Sequence, residues 1–156
     1  MMKVIITRSE QVRSVFLAET EKHREDYLVV VLFTKPSQML RETLKGTKIN
    51  NMFFIDAVEP TNEENTISVA PNDLTSLSII ISESLQLTTE TKKVLLFDSI
   101  DAITIHNKPT SVGKFLNFII EQSHTWNVNL TLIATKETDP RILTVVKQSV
   151  DIIRYI

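Results

Sequence analysis

The chain has 156 residues, 42% of them hydrophobic and 23% charged, which is enough apolar material for one domain with a sizeable buried core. Lysine and arginine total 17 against 19 acids, and the resulting net charge of −2 argues against a chain-wide electrostatic grip on nucleic acid. There is no cysteine, so disulfides, thiol nucleophiles and Cys-based zinc sites are excluded; only two residues are glycine, where average usage would give roughly eleven, so glycine-rich phosphate loops are excluded as well.

The amino terminus, Met1-Met2-Lys3-Val4-Ile5-Ile6, runs straight into Thr7 and Arg8 and is too short an apolar run for a signal peptide. It reads as a buried strand over residues 3–7. Thr7 and Glu10 stand at capping-box spacing before a helix that carries Val12, Val15 and Phe16 on one face. A second strand covers residues 28–34; its apolar run falls far short of the roughly 18 residues a membrane span needs. Pro36 marks the first residue of a weaker helix with Leu40 and Leu44 as its apolar pair. Residues 52–56 form the next strand, residues 59–66 a polar surface loop, and residues 67–69 a minor strand. Asn72 and Asp73 cap a helix lined by Leu74, Leu77, Ile81 and Leu85.

Residues 93–98 form a further strand, and Val112, Phe115, Leu116 and Ile119 then mark one helix face. A strand over residues 130–135 is followed by Asp139-Pro140, a cap and first turn, and a strand over residues 151–155 closes the pattern. Short continuous apolar runs alternating with amphipathic helices define the fold class: α/β, a three-layer sandwich with a mostly parallel central sheet, in one domain over residues 1–156. A soluble, cytoplasmic protein is expected.

In open parallel sheets the working groups gather beyond the carboxyl ends of the strands. Those ends read Thr7-Arg8-Ser9, Thr34-Lys35, Asp56, Asp98-Ser99-Ile100-Asp101 and Thr135-Lys136-Glu137. Four apolar residues running into Asp98 resemble the strand that holds Mg²⁺ in a nucleoside triphosphatase, although a buried strand also ends on an acid when that acid caps the next turn.

The string VLLFDSIDAI, a proline before the helix VGKFLNFIIEQ, the strand NVNLTLIATKE and the closing VDIIRYI follow the order of metal strand, helix, sensor strand and late strand in the core of the RecA/KaiC-like ATPase superfamily, which the sequence resembles over nearly its whole length. YLVVVLFTKPSQML and NMFFIDA resemble its second strand with a proline-headed helix and the strand after that, and APNDLTSLSIIISESL resembles a helix entry common in archaeal relatives. The resemblance implies a nucleotide-binding core in which Asp98 and Ser99 are the remnant nucleotide and metal residues.

The departures from that pattern point away from catalysis. The family's phosphate loop, Gly-x-x-x-x-Gly-Lys-Ser/Thr, should follow the first strand, where this chain has Thr7-Arg8-Ser9-Glu10-Gln11-Val12. Neither Gly46-Thr47-Lys48 nor Gly113-Lys114-Phe115 supplies it elsewhere. Cβ atoms obstruct the convergence of backbone amides around a phosphate, and Glu10 adds an opposing charge. Where the family carries a catalytic glutamate after the second strand, this chain has Thr34-Lys35, and a lysine cannot orient an attacking water.

Other site chemistries find less support. Asp98 and Asp101 can be read as a cation-sharing pair or as caps leading out of a strand. His23, His106 and His124 lack zinc-ligand spacing, no serine has the surroundings of a hydrolase nucleophile, and no metal site is expected. A phosphorelay receiver would need paired acids after the first strand, where Thr7-Arg8 stands. Arg8, Lys35 and Lys136 fall at one edge of the sheet and form a candidate anion-binding group, against the plainer reading of three solvated cations. Trp126 is expected against the sheet rim.

The expectation is therefore a RecA/KaiC-like domain without its phosphate loop, acting as a non-catalytic binding or regulatory module with no cofactor. Its partner would be a protein, either itself or an intact ATPase paralogue. The last strand, within residues 150–156, is an edge candidate for pairing. The competing expectation is a nucleotide switch using ATP and Mg²⁺, with Asp98 on the metal and Arg8 or Lys35 replacing the missing lysine.

Overall fold

The computed structural model describes residues 1–46 and 51–156. Among these residues seven strands form one sheet: β1 (Met2–Thr7), β2 (Tyr27–Leu32), β3 (Met52–Asp56), β4 (Thr66–Ser68), β5 (Lys93–Phe97), β6 (Asn129–Thr135) and β7 (Ile152–Tyr155). Their order is β4-β3-β2-β5-β6-β1-β7, and every pairing is parallel. Five α-helices among the described residues lie in the other connections: α1 (Val12–Lys22), α2 (Ser37–Thr43), α3 (Leu74–Leu85), α4 (Pro109–Thr125) and α5 (Pro140–Ser149).

A parallel sheet with helices on both faces buries its strands on both sides, which is why they read as unbroken apolar runs. All six residues of β2 are buried, and their alternation divides them between two cores. Val29 and Val31 join Leu95, Phe97, Leu130 and Leu132 against Leu77 and Ile81 of α3, Leu116 and Ile119 of α4, and Ile142 and Val146 of α5. Leu28, Val30 and Leu32 face the other way, with Leu96 and Ile133, onto Val15 and Phe16 of α1 and Leu40 of α2. The three-layer α/β sandwich is thus α3, α4 and α5 on one face, the sheet, then α1 and α2 on the other. No helix among the described residues is long and apolar enough to cross a membrane.

The local signals hold where a residue bonds close to itself in sequence. Asp73 accepts Ser76 N at 3.0 Å to cap α3, and Asp139 accepts Arg141 N at 2.9 Å to cap α5. Trp126 ends α4, half-buried against the larger core.

Three local expectations are corrected. Thr7 is not a helix cap: it completes the β1 ladder opposite Thr135, its hydroxyl is buried without a hydrogen-bond partner, and a 3-10 turn over Ser9–Gln11 precedes α1. Pro36 stands before α2 and not within it, because its backbone is extended. The second strand stops at Leu32 and not at residue 34, since the amides of Phe33 and Thr34 turn to the Asp98 carboxylate.

Phe97 sits at the centre of the sheet, fully buried, with its ring edge-on to Phe115 of α4 at a centroid distance of 6.1 Å. Phe97→Ala would remove this buried ring and leave a cavity in the core. Chemical denaturation is expected to show a loss of about 3–5 kcal/mol.

Candidate functional site

The carboxyl ends of the central strands carry three buried or partly buried carboxylates, and each is tied to a neighbouring segment. Asp98, following β5, is 2% exposed. Phe33 N donates to both of its oxygens, at 3.0 and 3.1 Å, and Thr34 N donates to one at 2.8 Å. Its own amide donates to Val31 O at 3.1 Å, so the residue binds the end of β2 through main chain and side chain together. Burial pushes its carboxyl up to about 6, against the opposing pull of the Phe33 and Thr34 amides.

Asp56 ends β3 and is equally buried. It accepts Ser37 N at 2.8 Å, which caps α2 from another strand because Pro36 has no side-chain acceptor to offer. Its other oxygen accepts Val58 N at 2.8 Å and Glu59 N at 3.1 Å, closing its own turn. Asp101 faces the opposite neighbour. It accepts the hydroxyl of Thr135 at 2.8 Å and that of Thr138, and Thr138 Oγ1 in turn accepts Thr135 N at 3.0 Å. Asp98 therefore serves β2 while Asp101 serves the turn after β6, and the two do not act as one carboxylate pair. Ser99 is buried, with its hydroxyl accepting Ala102 N at 3.4 Å.

The turn after β1 is compact. Gln11 N donates to Arg8 O at 2.9 Å and Val12 N to Ser9 O, so these amides are spent within the turn. Ser9 Oγ donates to Glu137 Oε2 at 3.2 Å, linking the exits of β1 and β6.

Solved structures share this arrangement of sheet and helices. A KaiC-like protein from the hyperthermophilic archaeon Pyrococcus horikoshii superimposes with a TM-score of 0.66 at 14% identity, over 92% of this chain and 68% of its own. A second, uncharacterised Pyrococcus horikoshii protein, solved in complex with an unknown peptide, gives 0.70 at 13% identity over 97% of this chain and 75% of its own. The fold is KaiC-like. No protein-family model and no curated protein sequence matches the chain.

On this KaiC-like sheet the three candidate anion-binding cations leave three different strands. Arg8, Lys35 and Lys136 are all exposed. Arg8 and Lys136 follow residues paired across β1 and β6, Thr7 and Thr135, so they leave adjacent strands. Lys35 leaves β2, three strand positions from β1, or about 14 Å away at ordinary strand spacing. Arg8 Nε lies 3.5 Å from Glu10, a solvent-exposed pair. Thr47 and Lys48 lie outside the described residues. No group of three or more histidine and acidic side chains placed to hold a metal occurs among the described residues.

The raised Asp98 carboxyl has a signed consequence for stability. An acid that titrates near 6 when folded and near 4 when unfolded binds more protons in the native state between those values. Its contribution is therefore complete below about pH 4 and is lost as pH rises through about 6. Asp98→Ala, which strips the buried Phe33 amide and the partly buried Thr34 amide of their acceptor, is expected to cost about 2–4 kcal/mol near pH 5. The gap between the parent protein and the variant should narrow toward neutral pH, as read by urea denaturation across that range.

Proposed function

We propose that this KaiC-like domain is a non-catalytic binding or regulatory module that works through association with another protein. The observation that carries this reading is the use of Asp98. The acid that resembles a Mg²⁺ residue has both oxygens engaged by backbone amides of Phe33 and Thr34, and recruiting it to a metal would compete with these bonds, one of them from the buried Phe33 amide.

The segment between β1 and α1 does not fit a phosphate cradle. It is a 3-10 turn of residues that all carry Cβ, its amides at Gln11 and Val12 are taken, and Glu10 sits in its first turn. Thr34-Lys35, where the resembling family has its catalytic glutamate, further supports a role without hydrolysis. The Pyrococcus horikoshii protein with the bound peptide lends support to a polypeptide as the ligand class for this fold. Under this reading the partner is a second copy of the chain or an intact ATPase paralogue, and no cofactor is required.

Thermal-shift titration with ATP and GTP, with and without Mg²⁺, tests the reading. A nucleotide at a hundred times its Kd would add about 2.7 kcal/mol, a rise of roughly 5–10 °C for a domain of this size. The expected result is no magnesium-dependent shift at millimolar nucleotide. A shift abolished by Asp98→Ala in a still-folded protein would instead establish a nucleotide switch, with Asp98 on Mg²⁺ and Arg8 or Lys35 on phosphate.

A further inference from the structure

The two edges of the sheet are finished differently. At one edge β4 is only three residues long and is tied to the segments around it: Thr61 N donates to Ser68 Oγ at 2.9 Å, and Arg41 reaches across to Thr66 Oγ1 at 2.8 Å. At the other edge β7 is exposed along its whole length, and no strand lies beyond it among the described residues. Ile156 N donates inward to Ile6 O at 3.0 Å, and with Ile6 opposite Tyr155 and Val4 opposite Ile153 the amides of Tyr155 and Ile153, one and three residues earlier, face outward.

The two faces beside this edge differ in chemistry. On one, Ile153 and Tyr155 present apolar surface, with Lys147 Nζ of α5 over the Tyr155 ring at 5.6 Å from its centroid. On the other, Ile152 and Arg154 border a cleft of about 490 Å³ that also takes in Lys3 of β1 and Lys22 and His23 at the end of α1. The acid set into this cluster is Glu19, which meets Lys3 Nζ at 3.2 Å, His23 Nε2 at 3.5 Å and Arg154 Nη1 at 3.9 Å. His23 Nδ1 also meets Asp26 at 3.0 Å. Lys22 is exposed and takes no part in these pairs, and Arg154 is half-exposed, so the cleft keeps excess positive charge toward solvent.

We propose that the β7 edge binds an extended segment of a partner protein that carries acidic side chains at alternate positions and apolar ones between. The added strand would pair with the outward amides and carbonyls of Ile153 and Tyr155. Its side chains on the α1 side would fall beside Arg154 and the mouth of the Lys3–Lys22 cleft, where a carboxylate is the complementary charge; those on the other side would lie beside Ile153 and Tyr155. A second copy of this chain fits the edge less well. Antiparallel pairing of two β7 strands around a two-fold axis puts both Arg154 side chains on the same sheet face within a residue or two of each other, and like charges so placed repel. This assignment rests on the proposed binding role and specifies where the partner sits and what its chemistry is.

The test uses short fluorescent peptides of alternating glutamate and valine, with lysine–valine peptides as the charge-reversed control, read by anisotropy on the whole chain. The acidic peptide should bind, and the basic one should not. Lys22→Glu and Arg154→Glu should each weaken binding by about tenfold and reduce its salt sensitivity. Ile153→Pro removes an outward N–H that the β1 ladder does not use, so it should abolish binding with an unchanged melting temperature. Absence of acidic-peptide binding, or binding indifferent to all three substitutions, overturns the assignment. So does a concentration-dependent dimer, seen by sedimentation, that Ile153→Pro dissolves, since the edge would then belong to a second copy. A partner protein retained equally by the parent and all three variants would leave the binding role standing and overturn only this placement.

Discussion

The Asp98 carboxylate is the point on which the middle of this sheet depends. At the end of β2 the chain must leave the ladder while still deep in the protein, and an amide left without an acceptor there costs about 1–3 kcal/mol. Asp98 meets that need from the adjacent strand, taking Phe33 N and Thr34 N on the two oxygens of a single side chain. Asp56 repeats the device one strand further out for Ser37 N, and Asp101 applies it on the other side to the hydroxyls of Thr135 and Thr138. The exits of β2 and β6 are thus fixed by carboxylates from neighbouring segments, while Asp56 closes the exit of its own strand β3 and also caps the start of α2.

This use of the acids limits the chemistry available at the same edge. The oxygens of Asp98, Asp56 and Asp101 already meet protein donors, so a metal or a substrate proton would compete with those hydrogen bonds. Burial reinforces this, because it holds Asp98 near a pKa of about 6, where the neutral form is well populated in mild acid. The carboxyl ends of the central strands thus carry a belt of internal hydrogen bonds.

How much of this was legible in the sequence depended on the range of the interaction. The strands were legible because burial on both faces leaves unbroken runs such as Leu28 to Leu32, and the helix faces because Leu77, Ile81 and Leu85 keep helical spacing. Asp73 and Asp139 were legible as caps because their partners lie two or three residues away. The tie from Asp98 to Phe33 spans 65 positions, and nothing in either local sequence announces the other. Arg8, Lys35 and Lys136 do leave the same edge of the sheet, but periodicity gives no strand order, and the order puts β5 and β6 between β2 and β1. The basic cleft escaped notice because Lys3, Lys22 and Arg154 come from the beginning and end of the chain; the available signal was an arginine inside the otherwise apolar closing strand.

That arginine carries two consequences that belong together. A bare edge strand with Ile152, Ile153 and Tyr155 exposed is a template for pairing with any other exposed strand, and a charged residue within it is a common safeguard. Glu19 does not cancel the charge, because one carboxylate is shared among Lys3, His23 and Arg154 and is itself almost wholly buried. The lysine and histidine lie mostly within the protein, so Glu19 spends its charge inside the cluster, while the Arg154 side chain is 53% exposed and stays available at the rim. Self-pairing then brings like charges together, whereas an incoming strand with an acid at the right alternation gains the attraction that self-pairing lacks. The same side chain that discourages the wrong pairing selects the right one, and it does so from the face of β7 that borders the Lys3–Lys22 cleft.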